Sequence, residues 1–430
     1  MLFSALVAAL GATVAIAAST PYVPGKAFDR FFTIWLENQD YDRVIKNSYM
    51  KGLVKEGILL SNYIAQTHPS QPNYIASIAG DYFGLNHDDV IHIPENITTV
   101  VDLLDSRGIS WKGYFEGIPG PGYMNAASTA KDGSGWDYVS KHNPFVSFNS
   151  ISFNGTRLAN IQSFADFDDD LKKNELPQFA HMSPNMMNDG HNTTLEYAAV
   201  CTDTYVRSLL KDEEFMKNTL LLVTYDESET YSQPNKIVSI LLGGAIPKNK
   251  KGTTDETFYT HYSILSTLQN NWELPNLGRY DVGANVFDIV AQKTGYKNHH
   301  PSSVAPLNNS LSYAGALNNL PDKWKAYPTP NMQLIGAGGK GIERTTKLNW
   351  VTREKDTTPY DGTGQVFDGG NGISDLNMPF YKAQAPAPNI TYPPHYVVGG
   401  KNSAGRLRGF GGRWGVFGWG VLGVWVVCVF

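Results

Sequence analysis

The 430-residue chain has only two cysteines, Cys201 and Cys428, and no excess of positive charge. Lys and Arg total 35 against 40 for Asp and Glu, which gives a net charge of −5. A chain without a basic surface excess is not expected to bind nucleic acid. So few cysteines exclude a disulfide-rich scaffold, and the fold must therefore depend on a hydrophobic core, which a chain of this length can bury.

The first 18 residues resemble a secretory signal peptide. Residues 1–18 form an apolar run that ends in small residues before Pro21, although the usual basic residue at its start is missing. A buried N-terminal helix is the alternative, but no polar face interrupts the run. Five Asn-x-Ser/Thr sequons are consistent with a secreted glycoprotein. They are Asn96, Asn154, Asn192, Asn308 and Asn389.

Residues 402–430 resemble a signal for attachment of a glycolipid (GPI) anchor. Asn402 or Ser403 is the candidate attachment point, and a short basic spacer leads to the uncharged tail at 414–430. A true membrane span is the alternative, but it needs about 20 apolar residues. We therefore expect the tail to be removed together with Cys428, which would leave one thiol. The mature protein would be held at the outer membrane leaflet or in the cell wall by its lipid anchor.

Short apolar runs that alternate with helical patterns predict an α/β fold with a mostly parallel central sheet flanked by helices. The predicted strands are Phe31–Leu36, Gln178–His181, Thr219–Tyr225 and Val238–Leu242. The predicted helices cover 100–106, 194–210 and 261–269. We expect a catalytic core at 28–297. Residues 298–400, which are dense in Pro, Asn and Gly, would form a loop-rich covering segment and a stalk.

Oxygen-bearing side chains follow two of the predicted strands, where ligands of parallel sheets gather. Glu37 and Asn38 follow the first strand and offer hard oxygen ligands for a divalent metal, although a turn with a helix cap would have the same composition. Asp226 and Glu227 follow another strand. Adjacent buried carboxylates repel each other unless a cation lies between them, so this pair also predicts a metal.

Three further segments carry candidate catalytic residues. Ser70 lies between Pro69 and Pro72, which predicts a rigid loop that presents a hydroxyl nucleophile; a proline-rich turn before a helix near Tyr74 is the alternative. The segment 183–192 is too polar for a core. Its Asp189 and His191 could hold a second metal, bind phosphoryl oxygens or protonate a leaving group, unless the loop is purely structural. His261, at a predicted helix start, is a second candidate acid.

Taken together, these segments resemble the phosphoesterase family of fungal acid phosphatases and bacterial phospholipases C, which is related to the alkaline phosphatase superfamily. The resemblance runs from Phe31 to about Leu274 and implies an alkaline-phosphatase-like fold. It is carried by Glu37-Asn38, Pro69 to Asn73, Ser183 to His191, Asp226-Glu227 and Thr260 to Tyr262.

The resemblance implies a role for each of these residues. Ser70 would be a nucleophile that forms a phosphoserine, and Asp189, His191 and His261 would be catalytic residues around the phosphate. His142, Asn73 and Asn188 would bind substrate. The metal ligands would be Glu37, Asn38, Asp226 and Glu227. Two-zinc relatives have Asp-His where this chain has Asp226-Glu227, so we expect one divalent metal ion of unknown identity.

The predicted function is a secreted, metal-dependent acid phosphatase that acts on small phosphate monoesters. Two alternatives stay open. One is a phospholipase C or another phosphodiesterase. The other is a non-catalytic cell-surface glycoprotein on a hydrolase fold.

Overall fold

The computed structural model describes residues 22–131, 133, 135–299, 313–353 and 358–365. The predicted signal peptide, the attachment signal with Asn402 and Ser403, and sequons Asn308 and Asn389 lie outside these residues. The described strands are β1 (Arg30–Leu36), β2 (Ile58–Ile64), β3 (Trp111–Phe115), β4 (Ala127–Thr129), β5 (Trp136–Val139), β6 (Ile161–Gln162), β7 (Phe179–Ser183), β8 (Thr219–Tyr225), β9 (Lys236–Leu242) and β10 (Thr253–Asp255).

Twelve α-helices and four 3₁₀ segments complete the secondary structure of the described residues. The α-helices are α1 (Tyr41–Val44), α2 (Ser48–Glu56), α3 (Ser70–Ala79), α4 (Val100–Asp105), α5 (Asn149–Ser152), α6 (Gly155–Leu158), α7 (Phe164–Lys173), α8 (Leu195–Leu209), α9 (Glu213–Met216), α10 (Tyr262–Trp272), α11 (Asp288–Thr294) and α12 (Arg344–Trp350). The 3₁₀ segments are Ser140–His142, Pro144–Ser147, Lys248–Lys250 and Val351–Arg353.

An eight-stranded sheet forms the centre of the fold, in the order β10-β2-β9-β8-β1-β7-β3-β6. The neighbours β8, β1, β7, β3 and β6 are parallel, and β9 pairs antiparallel with both β8 and β2. Strands β1 and β8 are buried at every residue, as expected for strands covered on both faces. The predicted fold class, a mostly parallel sheet flanked by helices, is confirmed.

The register of the central strands brings distant parts of the chain to one edge of the sheet. Leu36 at the end of β1 pairs with Tyr225 at the end of β8, and the amide of Asp226 donates to the Leu36 carbonyl at 3.0 Å. On the other side of β1, the amide of Glu37 donates to the Asp189 carbonyl at 3.0 Å. The residues that follow β1, β7 and β8 therefore meet.

The nucleophile candidate begins a helix, which differs from the rigid loop that we expected. Ser70 is the first residue of α3, Pro69 is the residue before it, and Pro72 lies within the first turn. Proline is tolerated there because the first N–H groups of a helix have no partner inside the helix. The two prolines thus start the helix earlier than the predicted start near Tyr74.

The described part of the C-terminal segment is attached to the core next to α3. Asp81 follows the glycine that ends α3, and its buried carboxylate accepts hydrogen bonds from the hydroxyls of Tyr313 and Tyr360. Burial raises the pKa of Asp81, although these hydroxyls oppose the rise. The segment thus adds two hydroxyl donors to a carboxylate that accepts one hydrogen bond from the core, from the Phe83 amide at 2.8 Å.

Two features bear on expectations about the ends of the chain. Cys201 is buried in α8, and Cys428 lies outside the described residues, so the expected loss of Cys428 with the tail stays a prediction. Within the described ranges, no helix has the length and apolar character needed to cross a membrane.

Candidate active site

The hydroxyl of Ser70 lies within a cluster of oxygen atoms from three segments of the chain. Its Oγ is 3.2 Å from Oε2 of Glu37, 3.4 Å from Oδ1 of Asn38 and 3.3 Å from Oε1 of Glu227. Ser70 is 1% exposed, and both glutamates are fully buried. The N-terminus of α3, where Ser70 stands, also carries the positive end of the helix dipole.

Asn38 completes the cluster through an unusual backbone conformation. Its φ of +34° lies in the left-handed region, which Asn tolerates better than most residues. The turn lets its amide N–H donate to Oδ1 of Asp226 at 3.1 Å. Its side-chain oxygen faces only carboxylate oxygens, with those of Glu37, Asp226 and Glu227 at 3.2 Å.

These contacts fit a divalent cation. Oxygens of Glu37, Asn38, Asp226 and Glu227 converge with the Ser70 hydroxyl, and oxygen donors in this number are what a hard cation prefers. Turning the Asn38 amide over would instead place its NH₂ group against the same oxygens. One amide cannot neutralise three carboxylates, whereas a cation offsets their charge.

The electrostatics of the carboxyl groups lead to the same conclusion. Burial, followed by the charge of Glu37, raises the pKa of Asp226 well above its usual value. Burial and then the charge of Asp226 do the same for the pKa of Glu227. Both pKa values rise because ionised carboxyl groups are unfavourable when they are buried and close to one another, and a bound cation would lower these pKa values again.

Glu37, His142 and His191 form a second group that fits a metal site, because their ligand atoms lie within 4.8 Å of one another. This group has one carboxylate and two imidazoles. Oε1 of Glu37 is 2.9 Å from Nε2 of His142, and Oε2 is 3.0 Å from Nδ1 of His191. The cluster around Ser70 instead has three carboxylates, whose charges a cation would offset, and we therefore favour the oxygen cluster as the metal site.

Glu37 is held as a carboxylate by its neighbours. Burial acts to raise its pKa, but His142, His191 and Lys141 outweigh burial and hold the pKa well below the usual range. Tyr74 also donates to its Oε1 at 2.9 Å. For His142, burial opposes protonation, yet the charge of Glu37 and hydrogen bonds to Asp189 and Glu37 raise the pKa to about 9. His142 is therefore a cation that bridges two carboxylates.

The loop after β7 places Asp189 and His191 beside this cluster. Oδ1 of Asp189 accepts from the His191 amide at 2.7 Å, and Oδ2 lies 3.3 Å from Nδ1 of His142. Gly190 between them has a φ of +102°, which a residue with a side chain would rarely adopt. The side chain of His191 is 15% exposed, whereas Ser70, Glu37 and Glu227 are buried.

Three residues that we expected in the site have partners within the protein. Nε2 of His261 is 2.7 Å from the Asp226 carbonyl, its Nδ1 is 3.3 Å from the Tyr63 hydroxyl, and burial lowers its pKa to about 4. Asn73 binds four backbone groups of residues 66–69. Asn188 donates to both carboxylate oxygens of Glu116 at 2.8 and 3.0 Å. In this geometry they support the site rather than face a substrate.

Sequence reasoning missed four residues next to the site. His68 contacts Oε2 of Glu227 through Nδ1, and its ring stacks on Tyr231. Lys141 and Asp88 form a buried ion pair, with 3.1 Å between Nζ and Oδ2. Glu116 anchors the loop that carries Asp189. His68 and Lys141 each stand beside a residue that we had selected, but nothing in their sequence neighbourhood identifies their partners.

The three sequons within the described residues are on the surface. Asn96, Asn154 and Asn192 are all exposed, and the side chain of Asn154 also caps the N-terminus of α6. Glycosylation at these positions stays a prediction.

The fold and the site together define a class: an α/β protein with a serine set among candidate metal ligands at the carboxyl ends of parallel strands. The sequence model of the Phosphoesterase family matches residues 35–275, more than half of the chain. The chain therefore belongs to the Phosphoesterase family. Membership confirms the predicted class of enzyme, a phosphoric-ester hydrolase.

Relatives in fungi cover most of the chain. It is 45% identical to the probable acid phosphatase of Kluyveromyces lactis over 76% of this chain and 77% of that protein. It is also 45% identical to the phosphate-repressible acid phosphatase of Penicillium chrysogenum, over 81% of this chain and 86% of that protein. An acid phosphatase of Aspergillus niger is 40% identical over 77% of this chain and 80% of that protein.

Proposed function

We propose that this protein is a secreted, metal-dependent acid phosphatase that hydrolyses phosphate monoesters through a phosphoserine on Ser70. The observation that carries the proposal is the position of the Ser70 hydroxyl, within 3.2 to 3.4 Å of Glu37, Asn38 and Glu227 at the start of a helix. The fungal relatives named acid phosphatases support the substrate class. The apolar N-terminal run supports secretion.

Glu37, Asn38, Asp226 and Glu227 would hold the metal ion. When bound, a divalent ion supplies positive charge that favours the alkoxide form of Ser70 and offsets charge on the phosphoryl oxygens. Lipid anchoring at Asn402 or Ser403 is proposed from sequence composition alone.

The residues of the chain account for both steps of the reaction. In the first step the Ser70 oxygen bonds to phosphorus, its proton passes to a carboxylate of the cluster, and the bond from phosphorus to the leaving oxygen breaks. His191, held by Glu37 and by the Asp189 turn, stands nearer to solvent and gives a proton to the departing alcohol. In the second step the oxygen of a water molecule bonds to phosphorus and its proton passes to His191, the bond from phosphorus to the Ser70 oxygen breaks, and Ser70 regains its proton from the carboxylate as phosphate leaves. Two in-line displacements predict retention of configuration at phosphorus.

The direct test is Ser70→Ala, assayed with p-nitrophenyl phosphate at mildly acidic pH. We expect kcat to fall by roughly 10³-fold or more, as for removal of other nucleophiles. Ser77→Ala is a matched control, because Ser77 is a buried serine of the same helix whose Oγ donates to the Tyr74 carbonyl at 2.7 Å. Acid-quenched wild-type protein should carry one phosphate on the peptide that contains Ser70. Full activity in Ser70→Ala, or a preference for a diester or phosphatidylcholine, would contradict the proposal.

A further inference from the structure

Lys141 is a buried cation that the proposed mechanism does not use. It lies in the 3₁₀ segment Ser140–His142 and is 5% exposed. Lysine is rarely buried to this degree, since its ammonium loses hydration that must be replaced. Its partner Asp88 is also buried, at 7% exposure.

One carboxylate ties this ammonium to the peptide next to the nucleophile. Oδ2 of Asp88 is 3.1 Å from Nζ of Lys141, and Oδ1 accepts from the backbone amide of Gln71 at 3.0 Å. Gln71 directly follows Ser70 in α3. The position of the Lys141 charge is therefore fixed relative to Ser70.

A second set of contacts connects Lys141 to the nucleophile through its neighbour in the chain. His142 directly follows Lys141, and Nε2 of His142 is 2.9 Å from Oε1 of Glu37. The other carboxylate oxygen of Glu37 is 3.2 Å from Ser70 Oγ. Both sets of contacts therefore place Lys141 next to the residues that surround the reacting oxygen.

We propose that Lys141 is a substrate-binding residue that selects phosphate monoesters over diesters by binding the additional charged oxygen of a monoester dianion. The inference rests on the proposed function. A monoester has a second ionisation near pH 6, so it presents one more charged oxygen than a diester, in which that oxygen carries a carbon group. A fixed ammonium therefore binds the monoester more strongly, because the diester has no second charged oxygen for it to contact.

The test compares p-nitrophenyl phosphate with bis(p-nitrophenyl) phosphate as substrates of the full-length protein, at a pH above about 6, where the monoester is a dianion. Lys141→Gln should lower kcat/KM for the monoester about 10- to 100-fold, the loss expected for a hydrogen bond to a charged group. The diester value should change less than about threefold, so that the ratio of the two falls. Lys141→Arg keeps the charge, so its ratio of kcat/KM for the monoester to kcat/KM for the diester should stay close to that of the wild type.

Two further variants separate selectivity from folding. Lys141→Gln leaves Asp88 buried without its cation, so Lys141→Gln with Asp88→Asn restores a neutral pair and should show the same fall in the ratio. Lys112→Gln is the control, since Lys112 forms a comparable pair with Asp170 at 2.5 Å near the start of β3. Its ratio should match that of the wild type.

The outcomes distinguish the inference from the proposed function. Equal losses for both substrates, or no loss for either, would overturn the role of Lys141 while leaving an active wild type and an inactive Ser70→Ala variant. A wild type that hydrolyses neither ester would overturn the proposed function, and the inference with it.

Discussion

Removal of the divalent ion should destabilise the protein through the carboxyl groups around Ser70. Glu37, Asp226 and Glu227 are each fully buried, and without a cation the pKa values of the last two rise well above normal. An ion present at about 100 times its Kd stabilises the folded state by about 2.7 kcal/mol. For a folded region of roughly 325 residues, the unfolding entropy is about 0.68 kcal/mol per kelvin. The expected fall in Tm after chelation is therefore about 4 °C.

Scanning calorimetry on protein dialysed against a chelator measures this fall, and back-titration with Mg²⁺, Mn²⁺, Zn²⁺ and Ca²⁺ identifies the ion that reverses it. Asp226→Asn removes one charge from the cluster and should abolish the rise in Tm that follows addition of the ion. Asp170→Asn is the matched control, because Asp170 is also buried and charged but binds Lys112 and Tyr114 away from the site. The Asp170→Asn variant should have a lower Tm than the wild type and should still show the rise in Tm when the ion is added. A wild type whose Tm responds to none of the four ions would refute the metal site.

Two more predictions concern the loop that carries Asp189. Burial raises the pKa of Glu116 to about 7 against an ordinary 4.5, despite hydrogen bonds from Asn185 and Asn188. The folded state therefore holds this proton more tightly than the unfolded chain, so about 3 kcal/mol of stability present below pH 4.5 is lost as the pH rises through 7. Urea unfolding of Glu116→Gln should show a flatter dependence between these values, and an unchanged slope would contradict the assignment. Gly190 has a φ of +102°, so Gly190→Ala should lower the free energy of unfolding by about 1–3 kcal/mol. The same variant should lower kcat/KM, because the strained turn would displace His191. Gly295→Ala, also at positive φ but with open space around it, should cost stability alone; equal kinetic losses in the two variants would argue against a role for the turn.

The strands that position the site could be predicted because they are buried on both faces. Residues 31–36 and 219–225 are continuous apolar runs, and the structure has β1 and β8 at nearly the same bounds. Strands with polar or short sequences gave no such signal. β2 contains Ser61 and Asn62, β6 has two residues, and the antiparallel direction of β9 depends on its neighbours rather than on its own residues.

The meeting of the candidate ligands could also be predicted, because carboxyl ends of parallel strands share one edge of a sheet. The partners of each side chain could not. Glu116 and Asn188 are 72 residues apart in the chain, and Lys141 and Asp88 are 53 apart. Only the folded chain shows that Asn188 and Asn73 bind protein groups, or that proline starts α3 at Ser70.

Asp81 makes the C-terminal segment part of the environment of the nucleophile helix. The hydroxyls of Tyr313 and Tyr360 reach this carboxylate just beyond the end of the helix that Ser70 begins. Proteolytic trimming before residue 313 would take two hydroxyl donors from a buried carboxyl group two residues past the end of α3 and leave it the Phe83 amide. An enzyme shortened in this way would lose activity through a loosened helix, even though every residue around the reacting hydroxyl was still present.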